Sequence, residues 1–294
     1  MGFFATFWTW LGSQLTTYIG DNTARLSTAL EPAVVTAAVI YVMVWGWMQM
    51  TGRIDEPLMA GLKRIVLLAT VLGVALRLWL YNAVIVDTFY AAPAQLAAAM
   101  IGATDPVDTV DAIWQHGGAV AGALWSKGGM LTDFGFYLAG IGVWVLMGLL
   151  CVYVMFLIAL SSIALAVLLA LGPLFILMLL FDGSRRLFDA WLMQLANYSL
   201  VTLLTVMLAA LMLRIVDSYA AQTAARGTAI LTVDALDMLL VSALVLLVMR
   251  QVMPIAAALA GGGSLSTFGT VSRGASSIGR GMSGAMLKLS SLLR

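Results

Sequence analysis

One uncharged tract, Phe134–Phe181, constrains the fold of this chain more than any other feature. It contains 48 residues without a Lys, Arg, Asp or Glu. As a single α-helix it would be about 72 Å long, more than twice the roughly 30 Å of bilayer hydrocarbon. The tract therefore predicts a membrane protein, and it must hold two embedded pieces, which we expect to part near Ser161 and Ser162.

The composition predicts membrane segments elsewhere in the chain as well. Hydrophobic residues make up 62% of the sequence and charged residues 10%, against about 25% charged residues in ordinary soluble domains. A helix needs about 20 apolar residues to cross a bilayer. Four further stretches reach that length: Pro32–Met50, Arg64–Val86, Ala190–Val216 and Met238–Ala260. We predict an all-α, polytopic helical membrane protein.

The distribution of Lys and Arg favours one topology over another, because cytoplasmic loops carry an excess of these residues. Five crossings plus a re-entrant or buried helical element place nine cations on the cytoplasmic side and three outside. Six full crossings give at best eight against four. We favour five crossings, with an extracytoplasmic amino terminus and a cytoplasmic carboxyl terminus, and keep six full crossings as the alternative.

This topology divides the chain into five regions. In order, they are an interfacial amphipathic N-terminal helix on the extracytoplasmic side (1–31), a first transmembrane hairpin (32–86), an extracytoplasmic helical loop (87–133), a transmembrane core (134–260) and a flexible, basic, Gly/Ser-rich cytoplasmic tail (261–294). The first region is amphipathic because Phe and Trp share one helical face while Thr and Ser share the other.

Gly172 and Pro173 predict a break inside the long tract. Proline lacks a backbone N–H and crowds the preceding helical turn, and glycine lowers the preference for a helix. Non-helical backbone at membrane depth is tolerated only where protein covers it or where it lines a wet cavity. The pair therefore indicates a packed assembly or a conduit, and an ordinary proline-kinked span is the alternative.

Two arginines lie well inside predicted spans, Arg77 in the second and Arg250 in the last, whereas Arg214 is near a span end, where it can snorkel. An arginine at the centre of a membrane helix costs about 3 kcal/mol on insertion scales, so it normally serves a function. We expect both in assembly or in a conduit, and snorkelling or a carbonyl-satisfied structural role is the alternative for Arg77. No acidic residue accompanies them, which argues against a proton-coupled or cation-coupled transporter.

The extracytoplasmic loop predicts a helix of its own. Asp105 and Pro106 give a helix start, and apolar residues then recur at helical spacing. Trp114, Leu124 and Trp125 on this helix are candidates for docking an extracytoplasmic partner. The alternative is a helix folded onto its own membrane bundle.

The residues that carry chemistry are scarce in this sequence. One cysteine and one histidine give no metal-ligand cluster, no Walker A sequence is present, and a net charge of +1 indicates no nucleic-acid surface. We therefore predict no catalytic residue, no cofactor and no metal, and expect that the chain is not an enzyme.

Two blocks carry a resemblance to a known family. They read "LGPLFILMLLFDGSRRLFDAWLMQLANY" (Leu171–Tyr198) and "VMRQVMPIAAALAGG" (Val248–Gly262). With the order of the segments, they make the chain resemble the TrbL-like inner-membrane proteins of bacterial type IV secretion systems, the family of the sixth VirB protein. The matching positions, for which the resemblance implies shaping and orienting of a membrane assembly, are Gly172, Pro173, Arg185, Arg186, Trp191, Arg250 and Pro254.

The resemblance also implies a function, a location and partners. It implies a multi-pass protein of the bacterial inner membrane that supports pilus biogenesis and the translocation of DNA or protein, as a channel or as an assembly platform. The implied partners are further copies of the chain, phospholipid, a periplasmic minor pilin, the major pilin, a bitopic inner-membrane scaffold, cytoplasmic ATPases and, transiently, the translocated substrate. The alternative is a small-molecule permease or exporter, with Arg77 and Arg250 as anion ligands.

Overall fold

The computed structural model describes residues 2–52, 58–102, 107–128, 134–180, 183–226 and 232–261, and all regular structure in these ranges is helical. The helices are α1 (Phe3–Met50), α2 (Leu58–Leu76), α3 (Leu78–Tyr81), a π-helical stretch (Asn82–Ala91), α4 (Ala92–Ile101), α5 (Asp108–Lys127), α6 (Phe134–Ala170), α7 (Gly172–Leu177), a 3₁₀ turn (Met178–Leu180), α8 (Arg185–Arg226), α9 (Thr232–Met249) and α10 (Val252–Ala260). The prediction of an all-α fold is confirmed.

Five helical segments of the described ranges are long and apolar enough to cross a membrane: Phe3–Met50, Leu78–Met100, Phe134–Ala170, Arg185–Val216 and Leu239–Ala260. They confirm a polytopic membrane protein. The second predicted crossing, Arg64–Val86, is not one helix, because the chain breaks at Arg77 between α2 and α3. Hydropathy measures the apolar length of a segment and does not detect a change in its backbone dihedrals.

Helix α1 joins two regions that the sequence analysis separates. It runs for 48 residues, about 72 Å, and contains Pro32 without ending there. Its buried face repeats every fourth residue at Leu15, Ile19, Thr23 and Ser27, where it packs against the bundle. The boundary between residues 31 and 32 is therefore not a helix boundary, and the interfacial position of the first 31 residues stays a prediction.

The long tract is divided at a different point from the one expected. Ser161 and Ser162 are buried inside α6, which continues unbroken to Ala170. The Ser161 hydroxyl lies 2.9 Å from the carbonyl oxygen of Ile158 and 2.8 Å from the hydroxyl of Thr202 on α8. The expected parting near these serines is wrong, because a serine whose hydroxyl finds partners removes no backbone hydrogen bond from the helix.

The predicted extracytoplasmic loop is largely helical. Its first part, up to Met100, belongs to the segment Leu78–Met100, which is long and apolar enough to cross a membrane, and its later part, α5, packs onto the bundle. Helix α5 runs antiparallel to the first half of α6, with the Trp125 ring over Gly140 and the Met147 side chain against Gly117. The predicted helix start at Asp105 and Pro106 lies outside the described residues, as do residues 262–294 of the predicted tail.

The buried residues form two clusters. The α5 core joins α5, Ala97 of α4, α6 as far as Ile158, α8 from Val201 onward, α9 and α10. The break core joins α1, α2, α3, the end of α6, α7 and the start of α8. The Ser161–Thr202 hydrogen bond lies where the two cores meet, since α6 and α8 contribute to both.

Candidate functional site

The break predicted at Gly172 and Pro173 is present and buried. Helix α6 ends at Ala170, Leu171 lies in a turn, and α7 is only six residues long. Because Pro173 has no N–H, the carbonyl oxygen of Leu169 loses the donor that the fourth residue along a helix would supply. Both Gly172 and Pro173 are buried in protein, so the chain itself covers this break, and the role of the break in an assembly or a conduit stays a prediction.

Tyr81 supplies the missing donor. Its hydroxyl donates a hydrogen bond of 2.5 Å to the carbonyl oxygen of Leu169, and its side chain is fully buried. A Cβ atom at position 172 would overlap the Tyr81 phenol, which explains the glycine there. Nothing in the sequence pattern singles out Tyr81, because the two residues lie 88 positions apart and meet only in the tertiary fold.

Trp191, one of the matching positions of the first sequence block, covers the carbonyl oxygen of Leu168, the residue that precedes Leu169. Its indole N–H donates a hydrogen bond of 2.9 Å to the carbonyl oxygen of Leu168 at the same helix end. The indole stacks on Phe175 of α7, with ring centroids 5.8 Å apart and planes 11° apart. Trp191 is buried, so the first turns of α8 both hydrogen-bond the break and pack against it.

Arg77 lies at a second break, which contacts the first. The residue is extended (φ −99°, ψ 103°) between α2 and α3, four residues before Tyr81, and its side chain is exposed. The carbonyl oxygen of Arg77 accepts backbone N–H groups from Leu80 and Tyr81 at 3.0 and 2.9 Å, which starts the next helical turn. The arginine predicted at mid-span therefore belongs to an interrupted helix and points away from the core of its own chain.

Arg185 and Arg186 begin α8, and both side chains are exposed. The preceding residue, Ser184, donates a hydrogen bond of 2.9 Å from its hydroxyl to the carbonyl oxygen of Met178. This bond links the residue before α8 to the 3₁₀ segment. The arginines are thus held at a defined helix start directly beyond the buried break.

A third break lies in the second sequence block. Helix α9 ends at Met249 and α10 begins at Val252, so Arg250 and Gln251 form a turn inside the last predicted crossing. Pro254 lacks the N–H that would reach the carbonyl oxygen of Arg250. The Arg250 and Pro254 side chains are exposed, so this break faces outward, unlike the one at Gly172.

These breaks lie within a region that matches a known family. Residues 38–252 match the family model described as the TrbL/VirB6 plasmid conjugal transfer protein. The chain belongs to the TrbL/VirB6 family. The matched range includes the first two breaks, Tyr81, Trp191 and the third break up to the first residue of α10.

Two similar proteins are type IV secretion system proteins VirB6. The one from Bartonella quintana is 24% identical over 205 residues, and the one from Bartonella henselae is 23% identical over 209 residues. The alignments cover 67% and 69% of this chain, and 62% and 63% of the two relatives. This TrbL/VirB6 chain therefore spans somewhat less than two thirds of the length of these relatives.

In this TrbL/VirB6 chain, the three docking candidates on α5 lie in different environments. Leu124 is 1% exposed and packs inside the α5 core, whereas Trp125 is 42% exposed and Trp114 is partly buried. Both indole rings lie near Trp144 of α6, at centroid distances of 5.4 Å for Trp114 and 6.4 Å for Trp125. Docking of a partner stays a prediction, and Leu124 is directed into the chain's own core.

Asp111 links α5 to the start of α1 and was not among the predicted site residues. Its carboxylate accepts hydrogen bonds from the backbone N–H groups of Phe4 at 3.3 Å and Ala5 at 3.0 Å. A carboxylate at this position satisfies the free donors at the start of α1 and complements the helix dipole. A Cβ atom at Gly2 would overlap the same carboxylate. The signal in the sequence is an acidic residue on the mostly apolar, buried face of α5.

In the described part of the family member, the candidate residues for membrane assembly lie at or beside helix breaks, and their role in shaping a membrane assembly stays a prediction. Within the described part, no group of three or more His, Cys, Asp or Glu side chains is placed to hold a metal ion. The features brought together are two helix breaks, two side-chain donors on freed carbonyls, and arginines at the ends of the broken helices.

Proposed function

We propose that this chain is an inner-membrane component of a type IV secretion machine that supports pilus biogenesis and the translocation of DNA or protein. The observation that carries the proposal is the family match over residues 38–252, together with two relatives that are type IV secretion system proteins. The Lys and Arg distribution supports a periplasmic amino terminus and a cytoplasmic carboxyl terminus.

The carbonyl groups freed at the Gly172 break are covered by side chains, which favours an assembly platform over a pore through a single chain. The freed carbonyls of Leu168 and Leu169 are covered by Trp191 and Tyr81, and Gly172 itself is buried. A backbone that lined a conduit would leave such carbonyls facing water. Any conduit would therefore run between copies of the chain.

The outward arginines support a homo-oligomer. Arg77 and Arg250 are exposed at the two other breaks. An arginine at membrane depth normally faces protein, a cavity or headgroups, and a neighbouring copy or another subunit would supply such surroundings. In addition to further copies, the proposed partners are the periplasmic pilins, the bitopic scaffold, the cytoplasmic ATPases and the translocated substrate.

Deletion of the gene in the encoding bacterium tests the proposal. We expect substrate transfer and assembled pili to be lost together and to return with the wild-type gene. Tagged chain purified in mild detergent should bring secretion ATPases and periplasmic pilus subunits with it. Transfer that continues in the deletion strain, with solute transport by the purified chain in liposomes, would support a permease instead.

Photo-cross-linking separates the platform from the conduit between copies. A photoreactive amino acid is placed at position 77 or 250, and position 149, which is exposed on the unbroken helix α6, is the control. Capture of translocating DNA or protein at positions 77 and 250 but not at 149 supports a conduit, whereas capture of pilin subunits and neighbouring copies alone supports a platform.

A further inference from the structure

A cleft separates α1 and α2 at the end of the molecule where α8 begins. The two helices touch above and below it: the Ser27 hydroxyl donates to the Ala75 carbonyl oxygen at 3.1 Å, and the Trp45 ring packs on Gly61. Between these contacts lies a partly enclosed cavity of about 920 Å³. This volume is near the upper end of the roughly 300–1,000 Å³ of small-ligand sites.

The walls of the cleft are apolar and come from three parts of the chain. Small residues of α1, including Ala37, leave room along one side, and Leu68 of α2 forms the other. Leu177 and Leu180, which follow the Gly172 break, close the back. The short α7 and the 3₁₀ turn therefore shape this cavity, and a straight continuation of α6 would not place them there.

Cationic and hydroxyl groups lie in the same cleft. Arg64 of α2 and Arg185 of α8 line it together with Tyr41 of α1. Both arginine side chains are exposed, and none of the described residues that line the cleft is acidic. The guanidinium group is a planar donor that matches phosphate oxygens in a bidentate manner.

An apolar cleft that carries two guanidinium groups matches one class of ligand best. An anionic phospholipid has a phosphate for the arginines and acyl chains for the apolar walls, and basic pockets between membrane helices are known to take such headgroups. The geometry points to a binding site for an anionic phospholipid between α1, α2 and α7, with its phosphate on Arg64 and Arg185. The inference is independent of the secretion role, because it concerns the lipid that this fold holds.

Native mass spectrometry of the full-length chain in detergent tests the site. Phosphatidylglycerol and phosphatidylcholine of equal chain length are the probes. We expect the wild-type chain to retain phosphatidylglycerol in preference. The variant R64Q/R185Q should bind it more weakly, by about fivefold for each arginine removed.

The control variant R186Q/R214Q removes the same charge from two exposed arginines that do not line the cleft. It should keep the preference for phosphatidylglycerol. Size-exclusion chromatography and thermal unfolding check that each variant is folded. An equal loss in both double variants would show attraction by net charge and would overturn the site, as would a wild-type chain that retains both lipids equally.

A second variant keeps the arginines and fills the apolar wall. Ala37 is an exposed residue of α1, so A37F should fold and place a ring in the cleft. We expect A37F to bind phosphatidylglycerol at least several-fold more weakly. Inorganic phosphate and glycerol 3-phosphate should compete poorly with the lipid. Competition as effective as that of whole lipid, with no effect of A37F, would identify a free-phosphate site and overturn the lipid assignment.

Discussion

The α5 core and the break core are stabilised by different contacts. In the α5 core, buried apolar side chains pack against one another, as where α5 lies antiparallel to α6 beside the buried Leu150. In the break core, Tyr81 and Trp191 hydrogen-bond the backbone carbonyl groups that end α6. Both cores bury apolar side chains, and the break core in addition needs hydrogen-bond donors for the carbonyl groups that the break frees.

The difference shows what a helix break requires in an apolar environment. A carbonyl group that is buried without a donor costs about 1–3 kcal/mol on mutational scales. The break at Gly172 is buried and has two side-chain donors, whereas the breaks at Arg77 and Arg250 leave their arginine side chains exposed. The chain thus covers the Gly172 break with its own side chains, whereas the arginines of the other two breaks are directed away from its cores.

The largest effect is expected in the α5 core. Leu150→Ala removes a fully buried side chain and leaves a cavity, so the free energy of unfolding should fall by about 2–5 kcal/mol. Leu149→Ala is the matched control, because the neighbouring leucine is 52% exposed. Unfolding in mixed micelles measures both. Equal losses would contradict a core that depends on filled volume.

Gly172→Ala tests the break core. The new Cβ would overlap the Tyr81 phenol, so the phenol must move and weaken its bond to the Leu169 carbonyl oxygen. We expect the free energy of unfolding to fall by about 2–4 kcal/mol. Gly46→Ala, in open space on α1, should change it by no more than about 1 kcal/mol and toward greater stability. A G172A protein more stable than the wild type would show that the Tyr81 hydrogen bond does not require a residue without a Cβ at position 172.

Trp191→Phe should give the smallest effect. The phenyl ring can keep the stacking on Phe175 but cannot donate to the Leu168 carbonyl oxygen. The expected loss is about 1 kcal/mol in the free energy of unfolding. Trp79→Phe, on the exposed side of α3, is the control and should change stability by less than about 0.5 kcal/mol. If Trp79→Phe lowered the free energy of unfolding more than Trp191→Phe does, the Trp191 N–H would not have the stabilising role assigned to it.

Local chemistry explains which features of the break could be predicted from the sequence. The missing N–H of Pro173 is a property of one residue, so the break follows from the sequence. Its donor Tyr81 is brought there by tertiary folding, so no local pattern reveals it. The interruption at Arg77 was missed because an apolar segment with one arginine has the same hydropathy whether it is straight or broken.

The positions of the long helices were predictable to a similar extent. Apolar length identified an all-α membrane protein and placed the segments Ala190–Val216 and Met238–Ala260 close to the observed helices. It misplaced the division of the long tract at Ser161, because a buried hydroxyl that finds a partner in α8 leaves α6 intact. The fold of α5 onto α6 could not be decided, since the same apolar face suits a partner or the chain's own bundle.

A double-mutant cycle between Tyr81 and Pro173 tests the central claim most directly. Tyr81→Phe in the wild-type background should lower the free energy of unfolding by about 1–3 kcal/mol, because the Leu169 carbonyl oxygen loses its donor. In a Pro173→Ala background, residue 173 carries an N–H that can reach the same oxygen, so Tyr81→Phe should cost at least about 1 kcal/mol less. Equal costs in the two backgrounds, within about 0.5 kcal/mol, would contradict the claim that Tyr81 replaces the hydrogen bond that Pro173 removes.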